Sequence, residues 1–279
     1  MATLADVEAF ETDGIVRVPG VVGRDDVDAM RDRVGEMLAA HGVVRDDPTT
    51  WLAGGGLRLV ELAGALRPGP GTEEVLWEVG RAAAFAPLSA ALGRAVDEVF
   101  GPGIWAPVAD QHGGLAAPNF PIREVGWNVP HAAWHVDEPT DPARTRGWGL
   151  LGFAFLDEVE PGGGATVVIT GSHRRLGELA ARRAYPSATR LLTTDHAIAV
   201  LSHDEPWFAD LFAPGAQDDR RRRFLREDYV SMGIPLRVVE LTGQPGDLVL
   251  MDPRCLHTIS ANVSPRARLT MRLTCARLG

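Results

Sequence analysis

The chain has 279 residues, 45% of them apolar, and carries 28 lysines and arginines against 37 acidic residues for a formal net charge of −9. That length and apolar share allow one substantial buried core, so a single domain over residues 1–279 is expected. The acidic balance disfavours a nucleic-acid partner, which would need lysine and arginine to neutralise phosphates; with no apolar run near roughly 18 residues and no basic-then-apolar leader in residues 1–6, no membrane partner and a cytoplasmic location are expected.

Helical patterns come first along the chain. Val27, Met30, Val34, Met37 and Leu38 recur at three- and four-residue steps and predict a helix ending near His41-Gly42. Residues 73–100 carry Val75, Leu76, Val79, Leu88, Leu92, Val96 and Val99, and Pro87 is expected to divide them into two helices. From Ile104 onward the pattern changes to short extended runs at 104–109, 149–156, 166–170, 236–241, 248–251 and 267–276, separated by Gly, Pro and Asp. Helices followed by many short strands predict a mainly β core with helices packed outside it. The interval 174–235 lacks clear alternation and is read as an insertion that forms a lid or a subunit contact. Its run Arg220-Arg221-Arg222-Arg223, bracketed by Asp218-Asp219 and Glu227-Asp228, predicts a solvated helix laced with ion pairs, or else a basic mouth for an anionic substrate. The two cysteines, Cys255 and Cys275, fit free thiols in a reducing compartment.

The chemistry concentrates at Trp134-His135-Val136-Asp137-Glu138-Pro139. On a strand, residues two apart share a face, so His135 and Asp137 converge while Val136 and Glu138 point away. A second histidine, His257, follows the run 246–251 and the turn Asp252-Pro253. Two histidines and a carboxylate can cap one face of iron(II) and leave its other positions open. Eleven positions after His257, beyond a turn marked by Asn262 and Pro265, Arg268 offers a guanidinium that can hold a carboxylate through two parallel hydrogen bonds. On this last strand Arg268, Thr270, Arg272 and Thr274 alternate with Leu269, Met271, Leu273 and Cys275, giving one polar and one apolar face.

The ordered set resembles the phytanoyl-CoA dioxygenase-like branch of the iron(II)/2-oxoglutarate oxygenases, which includes ectoine hydroxylase. The similarity runs through nearly the whole chain: Phe10 to Val22 at the start, Phe155-Leu156-Asp157 to Thr166, Gly171-Ser172-His173-Arg174, and the Gly246-Asp247 strand leading to His257 and Arg268. It implies a double-stranded β-helix, a distorted, cupin-like jelly roll, with the polar face of the last strand lining the reaction cavity. It further implies His135, Asp137 and His257 as iron(II) ligands, 2-oxoglutarate and dioxygen as co-substrates, and Arg268 at the far carboxylate of 2-oxoglutarate. The spacing of that family selects Arg268 over Arg266.

Thr166, Phe153 and Asn128 are candidate contacts to 2-oxoglutarate, and His131 and Trp148 candidate contacts to substrate. His131 is included because it shares parity with His135 if the strand extends that far. His173 is read as a structural hydrogen-bonding residue, and Gly54-Gly55-Gly56 as a turn. The expected activity is hydroxylation of a small-molecule metabolite with release of succinate and carbon dioxide. Desaturation, epoxidation or ring closure on the same scaffold is the alternative, and a catalytically silent metal-binding or ligand-binding β-sandwich is the alternative from another class. Halogenation is disfavoured because Asp137 is present.

Overall fold

The computed structural model describes residues 4–51, 59–62, 65–69, 72–108, 114–122, 126–144, 147–182 and 191–278. Its first elements are α1 (Leu4–Asp13), β1 (Ile15–Val18) and α2 (Arg24–Ala40). The glycine between α1 and β1 is required by space as well as by backbone: Gly14 has φ 77°, and a Cβ there would lie 2.3 Å from Cys255 Sγ and 2.6 Å from the His173 ring. Helix α2 buries Val27, Met30, Val34, Met37 and Leu38, the stripe expected from the sequence, and His41 caps its end.

A hairpin of β2 (Leu59–Leu62) and β3 (Ala65–Pro68) precedes α3 (Glu73–Gly80) and α4 (Ala86–Phe100). The break between these helices falls at residues 81–85, before Pro87, which sits in the first turn of α4. Proline is tolerated there because the N–H it lacks would have no intrahelical partner. Pro87 therefore starts the second helix and does not cut a longer one. Among the described residues no single helix is long and apolar enough to cross a membrane.

The remaining strands are β4 (Trp105–Pro107), β5 (Leu115–Asn119), β6 (Gly149–Phe155), β7 (Thr166–Thr170), β8 (Tyr229–Ser231), β9 (Ile234–Glu240), β10 (Leu248–Met251), β11 (His257–Ile259) and β12 (Arg268–Arg277). They form two antiparallel sheets. One runs β1-β10-β6-β12-β4 with β5 also on β12, and the other runs β11-β7-β9-β8. The sheet core with helices outside is the expected cupin-like jelly roll. Strand β5 was not expected, because Pro118 interrupts its pattern; it lies at the sheet margin against β12, where a missing donor is tolerated.

Strand β12 fixes which side of the larger sheet is apolar. Leu269, Met271, Leu273 and Cys275 join the core built with α2 and α4. Arg268, Thr270, Arg272 and Thr274 face cavities between the sheets. The start of the strand is pinned by Asp157, whose Oδ2 accepts from Leu269 N at 2.9 Å while Oδ1 pairs with Arg45 at 2.6 Å and Arg31 at 3.0 Å.

The interval 174–235 folds into most of α5 (Ser172–Arg182), then α6 (Thr194–Asp204), α7 (Pro206–Leu211), α8 (Gln217–Leu225) and β8. It shares a second apolar core with Trp127, Val129, Trp134, Val167, Ile169 and Leu256. The arginine run divides in role. Arg222 and Arg223 make exposed ion pairs with Asp219 and Asp210, as expected of a solvated helix. Arg220 is buried instead and donates to the carbonyls of Val129, Pro130, Asp210, Leu211 and Ala213. It ties the insertion to the segment that leads into His135.

Hydrogen bonds from a charged group are worth about 1.5–3 kcal/mol, and orphaned buried carbonyls add a desolvation penalty. Arg220→Ala is therefore expected to lower unfolding free energy by about 3 kcal/mol, whereas Arg222→Ala, losing an exposed pair, should change it by less than about 1 kcal/mol. Urea unfolding curves of the two variants check this.

Candidate metal centre

His135 and His257 face each other through the backbone before any metal is considered. His135 N donates to His257 O and His257 N to His135 O, both at 2.9 Å, an isolated antiparallel bridge. The expected regular strand around His135 is absent. Ala133 has φ 58°, and Asp137 N and Glu138 N both turn to the carbonyl of Pro253, at 2.9 and 3.2 Å. The bridge and the bend, not strand parity, bring Asp137 beside His135.

One donor atom from each of His135, Asp137 and His257 lies within 4.8 Å of the others. His135 Nε2 is 3.4 Å from Asp137 Oδ1 and His257 Nε2 is 3.9 Å from Oδ2. Nδ1 of His135 contacts Ala133 O at 2.9 Å, and Nδ1 of His257 contacts Cys255 O at 2.9 Å. A carbonyl only accepts, so both Nδ1 atoms donate; the neutral ring of His257 then keeps a lone pair on Nε2, and His135 offers one when a metal displaces the Nε2 proton it shares with Asp137. Outer hydrogen bonds of this kind orient metal-binding imidazoles.

The electrostatics of His257 and Asp137 suit a cation, whereas at His135 a proton competes with it. Burial, with the neighbouring His135, pushes the His257 pKa down to about 4, so its ring is neutral near pH 7. Burial also depresses His135, but the hydrogen bond and charge of Asp137 outweigh it and leave that pKa raised. Asp137 is held far below the carboxylate range: burial would raise it, and the His135 hydrogen bond with the charges of His257 and Arg272 prevails.

A cavity of about 660 Å³ opens from the two histidines and is lined by Phe153, Thr166, Arg268, Thr270 and Arg272, among others. Arg268 is buried; among the described residues its Nη1 donates to Thr270 Oγ1 at 2.9 Å and its Nε has no partner. Desolvation pushes its pKa down to about 10, against the opposing field of Asp157. A second cavity of about 480 Å³ lies on the other side of Asp137, lined by Glu138, Trp148, Leu150, Leu151, Arg272 and Thr274.

The structure thus brings His135, Asp137, His257, Arg268, Thr166 and Phe153 to one space. Trp148 is exposed at the second cavity, with the Arg144 guanidinium 4.1 Å over its ring. Asn128 and His131, expected at co-substrate and substrate, lie outside both cavity linings. The Asn128 amide donates to Gly215 O at 3.3 Å, toward the α7–α8 connection. His131 is exposed, because the left-handed turn at Ala133 breaks the parity that would have aligned it with His135. His173 is structural as expected, its Nε2 3.2 Å from Glu11 O. Cys255 and Cys275 are buried free thiols, and residues 54–56 lie outside the described residues.

Sequence reasoning gave no role to Arg272, whose Nη1 is 2.9 Å from Asp137 Oδ2. Its place in the alternation of β12 was the available signal. Arg67 and Trp77 at the cavity wall had none, since they come from the β2–β3 hairpin and α3, distant in sequence.

The jelly roll and its cluster of two histidines and one carboxylate define a cupin-like metal-centre protein. The family description of phytanoyl-CoA dioxygenase (PhyH) matches residues 10–270, and the chain belongs to that family. It is 26% identical to an ectoine dioxygenase of Sphingopyxis alaskensis over 151 residues, which span 54% of this chain and only 40% of that protein. Among solved structures it is similar to the epimerase SnoN in complex with Fe3+, alpha-ketoglutarate and nogalamycin RO, with 16% identity, a TM-score of 0.52, and 98% and 82% of the two chains covered. It is also similar to the carbocyclase SnoK from nogalamycin biosynthesis, with 14% identity, a TM-score of 0.50, and 99% and 84% covered. At these identities the structural likeness is one of fold.

Loss of any of the three donors should weaken iron(II) binding by more than the roughly 10–100-fold typical of losing an outer partner. Anaerobic iron titration of His257→Ala and Asp137→Ala checks this, with His131→Ala expected to bind as the parent does. Parental affinity in His257→Ala would refute the site.

Proposed function

We propose that the protein is an iron(II)- and 2-oxoglutarate-dependent dioxygenase that hydroxylates a small-molecule metabolite, with succinate and carbon dioxide as co-products. The observation that carries this reading is Arg268. A buried guanidinium costs several kcal/mol unless an anion meets it, and no carboxylate forms an ion pair with Arg268 among the described residues. It faces the cavity that also holds His135 and His257, and a dicarboxylate bound at the metal end can extend its far carboxylate to Arg268. A silent metal-binding scaffold has no use for such a cation.

The residues present fit both groups. His135, Asp137 and His257 are the donors of a facial site that leaves positions open, as iron(II) oxygenases require. When bound, iron with 2-oxoglutarate supplies the oxidising power that activates dioxygen. The chain's own part is placement. Arg268 and Thr270 hold the far end of the co-substrate, Thr166 offers a hydroxyl at the cavity wall, and Phe153 closes the cavity with an apolar ring. Asp137 stays ionised, so it can serve as an anionic ligand. Apolar packing of β6, β10 and Cys255 beneath the site keeps water from that side.

Removing one partner of a buried charge-assisted pair costs about 2–5 kcal/mol. Arg268→Ala is therefore expected to weaken 2-oxoglutarate binding by about one to three orders of magnitude while iron(II) still binds. Arg266, exposed at the turn before β12, should tolerate the same change with little effect. Binding isotherms decide it, and the reverse order of effects would move the anchor to Arg266. Succinate release across a metabolite panel tests the reaction itself: no co-substrate turnover with iron and oxygen present would refute the dioxygenase reading.

A further inference from the structure

Asp137 reaches the candidate metal centre from an irregular segment, where its backbone N donates to Pro253 O at 2.9 Å. Its carboxylate is gripped from the sheet: Arg272 Nη1 donates to Oδ2 at 2.9 Å. Arg272 lies within β12, in register with Phe153 of β6 on one side and Leu115 of β5 on the other, so its backbone is fixed from both flanks. The other carboxylates at the same cavity are engaged elsewhere. Glu138 accepts from Trp148 N at 2.7 Å and from Gly149 N at 3.0 Å, and Asp141 accepts from Ala143 N at 2.9 Å and lies 3.7 Å from Arg144 Nε. Arg272 therefore belongs to Asp137.

The two oxygens of Asp137 face different histidines, Oδ1 at 3.4 Å from His135 Nε2 and Oδ2 at 3.9 Å from His257 Nε2. A metal placed among the three side chains has both oxygens within reach, and carboxylates bind cations through one oxygen or through two. Which of these happens decides whether the proposed chemistry is possible. An octahedral iron has six positions, of which one donor each from His135, Asp137 and His257 takes three and a chelating 2-oxo acid takes two, leaving one for dioxygen. A second oxygen from Asp137 would fill it.

We infer that Arg272 is a positioning residue that reserves Oδ2 of Asp137, so that the carboxylate serves iron through Oδ1 alone and the position dioxygen needs stays free. The contact suits the task. It is a charge-assisted hydrogen bond to one oxygen, and the neighbouring Nε of Arg272 makes no bond of its own, so the guanidinium does not clasp both oxygens side-on. The inference rests on the dioxygenase reading. It differs in sign from a merely structural role: a carboxylate left unheld would bind iron(II) less tightly, whereas one released to chelate binds it at least as tightly.

The test uses the intact protein with iron(II) under nitrogen, with and without 2-oxoglutarate, and nitric oxide as a neutral diatomic probe of open iron positions, read by electron paramagnetic resonance. The absorption band of the iron-chelated co-substrate shows that both are bound. Without 2-oxoglutarate, where positions remain open in either case, the parent and Arg272→Met should bind nitric oxide alike. With it, Arg272→Met is expected to keep the band and an iron(II) affinity at or above that of the parent, while its nitric oxide affinity falls by at least about tenfold. Arg272→Lys, which keeps a cationic donor, should recover part of the loss. Thermal unfolding of the metal-free protein checks that the fold survives, and Arg272→Leu carries the same expectations should methionine disturb it. Parental nitric oxide affinity in the co-substrate complex of the variant overturns the inference, as does an equal loss without 2-oxoglutarate. Weakened iron(II) binding also overturns it and assigns Arg272 to holding Asp137 in place. Absence of the band in the parent protein would remove the dioxygenase reading, and this inference with it.

Discussion

Two reciprocal backbone hydrogen bonds between His135 and His257, each 2.9 Å, are the constraint on which the site depends. They join segments 122 positions apart and set the imidazoles with ring centroids 4.2 Å apart. The two rings differ in charge preference, His257 being held neutral by burial while Asp137 raises the pKa of His135. Here each ring is also fixed by a carbonyl on Nδ1, so the free nitrogens share a direction toward Asp137. The bridge lies where the smaller sheet, through β11 and β7, meets the irregular segment before Asp137. The placement of the two histidine donors is thus set by a backbone bridge between distant segments.

The interior is polarised along β12. Its apolar face belongs to the helical core, and its polar face carries alternating arginine and threonine between the sheets. Cations are placed there at a desolvation cost the fold alone does not recover, as the depressed pKa of Arg268 shows. A buried polar group without a protein partner calls for an explanation, and at a cavity wall a bound ligand is one. Arg268 and Arg272 both have such an Nε, at the two ends of the same five-residue stretch.

Much of this was legible in the sequence because the signals are local. The stripe of α2 and the alternation of β12 follow from the period of one element each, and β7 and β10 have the expected bounds. The donor set was legible through spacing and family pattern. The failures are non-local. His131 was aligned with His135 by counting along a strand, but contacts from Pro253 and the left-handed Ala133 decide that path. Thr258 Oγ1 adds another from across the chain, donating to Ala132 O at 3.1 Å. Arg220 looked like one of four solvated arginines, although Phe224, four residues on, marks the buried face of the same helix.

The clamp formed by Arg220 has a consequence for engineering. Segments such as 174–235 are natural targets for grafting between relatives when a new substrate range is sought. In this chain the segment is not a detachable accessory: Arg220 grips the carbonyls of Val129 and Pro130, and Thr194 Oγ1 accepts from Val136 N at 3.1 Å, on either side of His135, the first candidate metal donor. A chimera that exchanges the helices without keeping these two contacts exchanges the seating of His135 as well. Recombination points chosen outside 126–225 leave the clamp, both of its grips and the candidate donors His135 and Asp137 in one inherited block.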